Sequence, residues 1–458
     1  MILNIFKIIF AYVLPLLAGY MIISLIDYKA RALSRGFKFF SAFFVGKGVF
    51  TMEVFIVGIF GAPMKLPAML AIFCFDFAVL GLLAWRQKKK FPAAGSAFSK
   101  AHLNGFRGSK ILLSLVLILL VLKIGASFWQ TTHVPTYEFD AWNNWDLRAK
   151  VISVEGRIQF DKNDEFYLGG GIKSYPLNDG LWKVWQAAVL GGWQEQAVNT
   201  TSVFVYIFLL GLFYFSLPEN ISTNWRLGST YLFASLPFLY FHSWIPYADL
   251  EFAAYLFLTV AGMYHYLRDG HAPHLVLSAL ALGLSIWTKN EGFAVLLPVI
   301  VAALALALLR KQMSLRRAGY YIATAVVVVL PWLVFRFVNH LDLLSGDSSS
   351  FRFVFNRQFL GTAFNSIFLA SHFNFLWLLA FGLAVTQIKT LRRNFSQQSL
   401  VFILFASFLF YNGIIIFTDK AYDLSALVRV NLQIAPLAMF YVVIAVRGLF
   451  EPLPARDK

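Results

Sequence analysis

Asp140 stands in Tyr137-Glu138-Phe139-Asp140-Ala141-Trp142-Asn143-Asn144-Trp145-Asp146, a carboxylate surrounded in sequence by aromatic rings. In such company a carboxylate loses hydration and binds a proton more readily, which suits general-base work. An acceptor hydroxyl attacking a sugar carbon must shed its proton as the bond forms, and a positioned carboxylate can take it. The plainer role for Asp140 is to cap the helix that begins near Ala141. Glu138 and Asp146 are close enough to share the acid role or take it. A second pair, Asp249 and Glu251 in Pro246-Tyr247-Ala248-Asp249-Leu250-Glu251, falls where an apolar run begins. It either complements the positive end of a helix or helps the reaction, orienting the acceptor or holding a divalent cation.

The cations complete the candidate chemistry. Lys289 and Glu291 lie in Thr288-Lys289-Asn290-Glu291-Gly292, a tight polar turn between apolar runs. A lysine there meets a phosphate as a point charge, or closes the turn as an ion pair with Glu291. Arg429 opens a late apolar run, and Arg352 and Arg357 are further phosphate candidates unless they are simply solvated. Trp142, Trp145, Trp182, Trp185 and Trp193, with Tyr175 and Tyr247, could contact a sugar or a lipid, although most of the tryptophans read as an interfacial belt. His133, His242 and His265 show no ligand spacing, and no zinc pattern, phosphate loop or fixed-period repeat is found, so no zinc site or nucleotide loop is expected and a divalent cation at the acidic residues is the one cofactor left open.

These residues need elements to hold them, and the composition says where those elements sit. Hydrophobic residues make up 59% of the chain and charged ones 14%, with a mean hydropathy of +0.67. Apolar runs reach spanning length repeatedly, so the chain reads as one all-α polytopic membrane domain, 1–458, of roughly thirteen spans. The runs are 5–26, 39–60, 66–85, 111–128, 198–217, 230–244, 251–267, 275–287, 293–309, 320–338, 362–388, 400–417 and 430–446. The pair around Lys289 could equally be one broken hairpin. The net charge of +16 falls in clusters beside spans (Lys29 to Lys38, Arg86 to Lys90, Arg310 to Arg317, Lys389 to Arg393), a positive-inside pattern rather than a nucleic-acid footprint. With those clusters in the cytoplasm, the 131–195 loop and the segments at 244–250, 289–292, 339–361 and 418–429 share the opposite face.

Within that loop, Trp142, Trp145 and Ala149 define one amphipathic surface helix and Trp182, Trp185 and Val189 a second, separated by a Gly169-Gly170-Gly171 hinge that would make a mobile lid or platform. The in-span charges Lys47, Glu53, Asp76 and Lys123 are expected to pair with one another, a proton relay being the sharper alternative. The first apolar run lacks a cleavage site and reads as a retained span. The single cysteine, Cys74, can form no disulfide within the chain.

The ordered segments Phe139-Asp140-Ala141-Trp142-Asn143-Asn144-Trp145, Leu147-Arg148-Ala149-Lys150, Ser174-Tyr175-Pro176-Leu177, Tyr247-Ala248-Asp249-Leu250 and Trp287-Thr288-Lys289-Asn290-Glu291-Gly292 resemble the motifs of bacterial multispan C-type (GT-C fold) glycosyltransferases. They are similar to dolichyl-phosphate-mannose protein mannosyltransferases and lipid A aminoarabinose transferases. The resemblance is good over 137–298 and looser through Arg429. It implies a GT-C-like bundle in the bacterial cytoplasmic membrane with its catalytic loop facing outside. It further implies inverting transfer of a sugar from a polyprenyl-phosphate donor to a lipid, glycan or protein acceptor, with Asp140 as base and Lys289 and Arg429 at the donor phosphate. Two other classes compete: a polysaccharide polymerase or ligase, which would rely on arginines and a histidine, and a lipid or solute transporter. A transporter would place polar groups at the bilayer midplane and show repeat symmetry, neither of which is evident.

Overall fold

In hydrocarbon only a helix satisfies its own backbone within one segment, so the apolar runs of this chain become helices. A computed structural model describes residues 2–90, 110–342, 354–355, 357–418 and 423–450, and among them there are eighteen α-helices and no β-strand. Nine described helical segments are long and apolar enough to cross a membrane by length and composition. The chain is a multi-pass membrane protein.

The first four helices are α1 (Ile2–Ile26), α2 (Arg35–Ile59), α3 (Leu66–Lys90) and α4 (Lys110–His133). α1 and α2 cross with their backbones nearly touching: a Cβ on Gly46 would meet the Pro15 carbonyl, and one on Gly19 the carbonyl of Ala42. Small residues at such a crossing allow the close van der Waals packing that joins helices in lipid. α4 lies at the periphery, with Ile111, Leu112, Val121 and Leu122 outward.

The polar loop contains α5 (Asp146–Glu155) and α6 (Asn178–Leu190), after which come α7 (Glu195–Ser216), α8 (Thr223–Ala234), α9 (Pro237–Phe241) and α10 (Asp249–Asp269). The span expected at 230–244 is broken. Pro237 pushes Leu236 into an extended conformation, and Ser222 caps α8 by accepting from the Trp225 N–H. Twelve residues of α8 rise only about 18 Å. α10 is buried on all sides from Asp249 to Leu267, packed by α11 (Ala272–Thr288), α7 and the two longest C-terminal helices. Protein rather than lipid surrounds it, which makes its two carboxylates tolerable.

α12 (Leu297–Leu309) follows a π-helical turn, 292–296, and α13 (Leu315–Val338) comes next. The run at 362–388 also breaks, into α14 (Arg357–Phe364), a π turn at 365–369, α15 (Leu376–Thr386) and α16 (Ile388–Arg393). α17 (Phe395–Ile416) and α18 (Leu424–Phe450) end the described chain.

Several loop and in-span expectations are corrected. α6 is a buried helix, not a surface one: Trp182 and Trp185 are fully enclosed, and the Trp185 indole donates to the Ala11 carbonyl at 2.9 Å. The glycine segment is no free hinge. Gly169 and Gly171 have positive φ and pack against Arg148 and Asn144, where a Cβ on Gly169 would sit 2.6 Å from the Arg148 carbonyl oxygen. Nor do the in-span charges form ion pairs with one another: Lys47 pairs with Glu251, Glu53 lies near the like-charged Asp76, and Lys123 stands 4.1 Å from the centre of the Tyr240 ring.

Candidate active site

The polar segments meet at the end of the bundle where α4, α11 and α13 finish and α10 and α18 begin. Asp249, in the first turn of α10, has no exposed side-chain surface. A carboxylate so placed is stable only with cationic partners. Lys289 Nζ lies 2.9 Å from its Oδ1. Arg429 approaches its Oδ2 from Nε at 3.1 Å and from a terminal guanidinium nitrogen at 2.9 Å. Gln433, one turn after Arg429 on α18, donates to Oδ1 at 2.8 Å.

The remaining arm of the Arg429 guanidinium reaches Asp140 Oδ2. Asp140 immediately precedes a π-helical turn, 141–145, and its side chain makes no capping hydrogen bond. Where Asp249 is sealed, Asp140 is 41% exposed. Arg429 therefore joins one fixed carboxylate to one that faces outward. Its guanidinium also sits 4.6 Å from the Tyr247 ring centre, a cation–π arrangement. Burial, opposed by the Arg429 charge, holds the Tyr247 phenol well above its usual range. It stays a neutral donor.

Lys289 is extended (φ −146°) where α11 stops, a conformation that interrupts the helix and turns the ammonium inward. It also contacts Glu291 Oε1 at 2.9 Å. Trp145 and Tyr175, whose rings lie 5.2 Å apart, flank it at just under 6 Å each. Arg148 brings Tyr175 there: it is buried in the loop, and its guanidinium donates to the carbonyls of Tyr175 at 3.0 Å and Leu168 at 3.3 Å. Burial, partly offset by Asp179, pulls the Arg148 pKa down to about 9.

Asp140, Tyr247, Asp249, Lys289, Glu291, Arg429, Trp145 and Tyr175 thus come together from five separate stretches of chain. Other candidates do not join them. Asp146 is buried against Lys183 at 2.9 Å, and Lys183 also holds Asp179 at 2.8 Å. Burial alone would lower the proton affinity of Lys183, but the two carboxylates outweigh it and keep it charged. Glu251, on another side of α10, pairs with Lys47 and accepts from Asn178 at 2.9 Å. Glu138 is near Tyr247 rather than the cations, Trp142 packs edge-on to Phe139 at the surface, and Arg357 is exposed at the start of α14. Arg352 lies outside the described residues. Among the described residues no three His, Cys, Asp or Glu side chains gather in a metal-binding arrangement.

Gln433 and Arg148 escape a reading by residue type alone. Gln433 has a signal, the i, i+4 spacing that puts it on the face of Arg429. Arg148 has a fainter one, an arginine followed twenty-one residues on by three consecutive glycines.

No family model matches the sequence, and no curated protein matches it. Among solved structures, ArnT from Cupriavidus metallidurans bound to undecaprenyl phosphate superposes with a TM-score of 0.54 at 14% identity, covering 74% of this chain and 61% of that one. Its apo form gives a TM-score of 0.49 at 14% identity, over 73% and 59% of the two chains. The chain spans about three fifths of the length of those structures. At such low identity the likeness is one of fold, and the fold is GT-C-like, as the order of the sequence motifs led us to expect.

Proposed function

We propose that this protein transfers a sugar from a polyprenyl-phosphate donor to an acceptor hydroxyl at the outer face of the bacterial cytoplasmic membrane, inverting the anomeric carbon. The observation that carries this reading is the chain of contacts Lys289, Asp249, Arg429, Asp140, in which paired cations adjoin an outward carboxylate within one cluster. The leaving group of such a donor is a phosphate, so the greatest help comes from preorganised positive charge near it. Lys289 and Arg429 supply that charge, and Asp249 fixes the distance between them. Asp140 takes the proton of the attacking hydroxyl. The ArnT structure that shares the fold was solved with undecaprenyl phosphate, which supports a lipid phosphate as the partner here.

Charge bookkeeping adds a step. Lys289 and Arg429 already face Asp249, Asp140 and Glu291, two positive charges against three negative. An incoming phosphate adds more negative charge and must displace a carboxylate. Asp140 is the exposed one, so donor binding frees it from Arg429 for the acceptor.

Deleting the gene and analysing the membrane lipids by mass spectrometry tests the reaction class. One glycosylated polyprenyl phosphate should accumulate while one envelope glycan loses the same sugar. Unchanged lipid-linked sugars and envelope glycans would remove the transfer reading.

A further inference from the structure

A second buried polar group borders the cation cluster, and the proposed chemistry does not use it. Asn178 opens α6 and has no exposed surface. Its amide is fully committed: the nitrogen donates to Glu251 Oε1 at 2.9 Å and to Thr288 Oγ1 at 2.8 Å, and the oxygen accepts from Thr51 Oγ1 at 2.5 Å. Thr51 accepts in turn from the Trp287 indole at 3.0 Å, and Glu251 pairs with Lys47. All of these side chains are buried, so removing one partner leaves a donor or acceptor unmatched. Only an amide supplies two donors and an acceptor at this length; aspartate has no donor and leucine has neither.

One amide thereby joins α2, α6, α10 and α11, and residues of the site sit beside its partners in sequence. Thr288 directly precedes Lys289, Glu251 follows Asp249 by two residues, and Tyr175 stands three before Asn178 itself. α11 stops at Thr288, and a helix end lacks the hydrogen-bond ladder that fixes its interior. The bonds of Trp287 and Thr288 therefore set where α11 delivers Lys289. Lys47 and Glu251 carry one charge of each sign, so the group holds these elements without competing with Lys289 and Arg429 for a phosphate. We infer that Asn178 is a positioning residue: through Thr288 and Glu251 it sets the spacing of Lys289, Asp249 and Tyr175, and, being enclosed, it touches no substrate. The inference rests on the proposed transfer and adds to it the group that holds the phosphate-binding lysine in place.

The test is undecaprenyl-phosphate binding by the full-length protein in nanodiscs. Thr288→Val keeps the shape and removes the acceptor of an Asn178 N–H, whereas Thr288→Ser keeps the hydroxyl. The valine variant should weaken binding roughly three- to tenfold, the worth of one hydrogen bond, and the serine variant should bind as the wild type does. A double-mutant cycle with Lys289→Met separates positioning from general damage. If Thr288 acts through Lys289, adding Thr288→Val to Lys289→Met costs nothing further, within about twofold, while a defect of the fold adds in full. Should Thr288→Val not fold, Thr51→Val strips the same amide of its partner on α2 and repeats the cycle. Wild-type binding by the valine variant, or full additivity with Lys289→Met, overturns the positioning role. If Lys289→Met itself binds the lipid phosphate as the wild type does, the donor site proposed above fails instead, and a structure of the valine variant decides whether Asn178 positions the lysine. Lys289 drawn away from Asp249 retains that role, and Lys289 still 2.9 Å from Asp249 Oδ1 overturns it.

Discussion

At the scale of single residues, the account turns on how two carboxylates divide one arginine. Asp249 is sealed and holds Lys289 and Arg429 together, and Asp140 is its exposed counterpart. Asp249→Ala removes the anion that Lys289 and Arg429 share, leaving Lys289 with Glu291 and Arg429 with Asp140 alone, and breaking a buried ion pair from one side typically costs about 3–5 kcal/mol. Thermal unfolding in nanodiscs should show a marked fall for that variant, and wild-type stability would dismiss Asp249 as the hub. Arg429→Lys keeps the charge but loses the fork that spans both carboxylates. The donor KM should rise about tenfold, the equivalent of roughly 1.4 kcal/mol, with a smaller effect on kcat. An unchanged KM would place the donor phosphate elsewhere. Most of this constellation was legible as a set of residue types: an aspartate among aromatics, a lysine in a turn between apolar runs, an arginine opening a helix. The hierarchy within it was not. A carboxylate at a helix start is so readily explained by the helix dipole that nothing in the sequence marks Asp249 as central and Glu251, two residues on, as belonging to a different buried pair.

At the scale of elements, the site depends on places where regular helices stop. π turns follow Asp140 and Glu291 directly, and Lys289 is extended between α11 and its successor. These interruptions aim side chains that a continuous helix would turn elsewhere. The loop from Tyr167 to Pro176 is held by Arg148 and by the positive φ of Gly169. Gly169→Ala combines a left-handed backbone, worth about 1–2 kcal/mol against a side chain, with a clash at the Arg148 carbonyl. It should lower both thermal stability and kcat by withdrawing Tyr175 from Lys289. A variant with normal stability and turnover would show that this loop does not position the site. Hydropathy reveals the long helices because lipid imposes the pattern. It misses the break at Pro237, where apolar composition continues across a chain that cannot. Nor does it separate belt tryptophans from core ones, since Trp182 and Trp185 are buried against aromatic rings of α1, α2 and α3 and their own sequence neighbours do not show it.

At the scale of the whole molecule, the alternation of basic clusters and polar loops predicts which end of the bundle faces out. In a Cys74→Ser background, Lys173→Cys should react with a membrane-impermeant maleimide in intact cells, and Arg316→Cys only after the membrane is opened. The reverse pattern would place the cluster in the cytoplasm and contradict transfer at the outer face. The GT-C-like fold supplies a frame in which α10 and α18 are wrapped by protein, so that buried charge is affordable near one membrane surface. The most direct test of the central claim is to measure undecaprenyl-phosphate binding and sugar transfer on the same preparation of Asp140→Asn. The account predicts that kcat falls by about 10² to 10⁴ while the lipid phosphate binds as tightly as before or more so, because Arg429 is released. Normal transfer in that variant would contradict it.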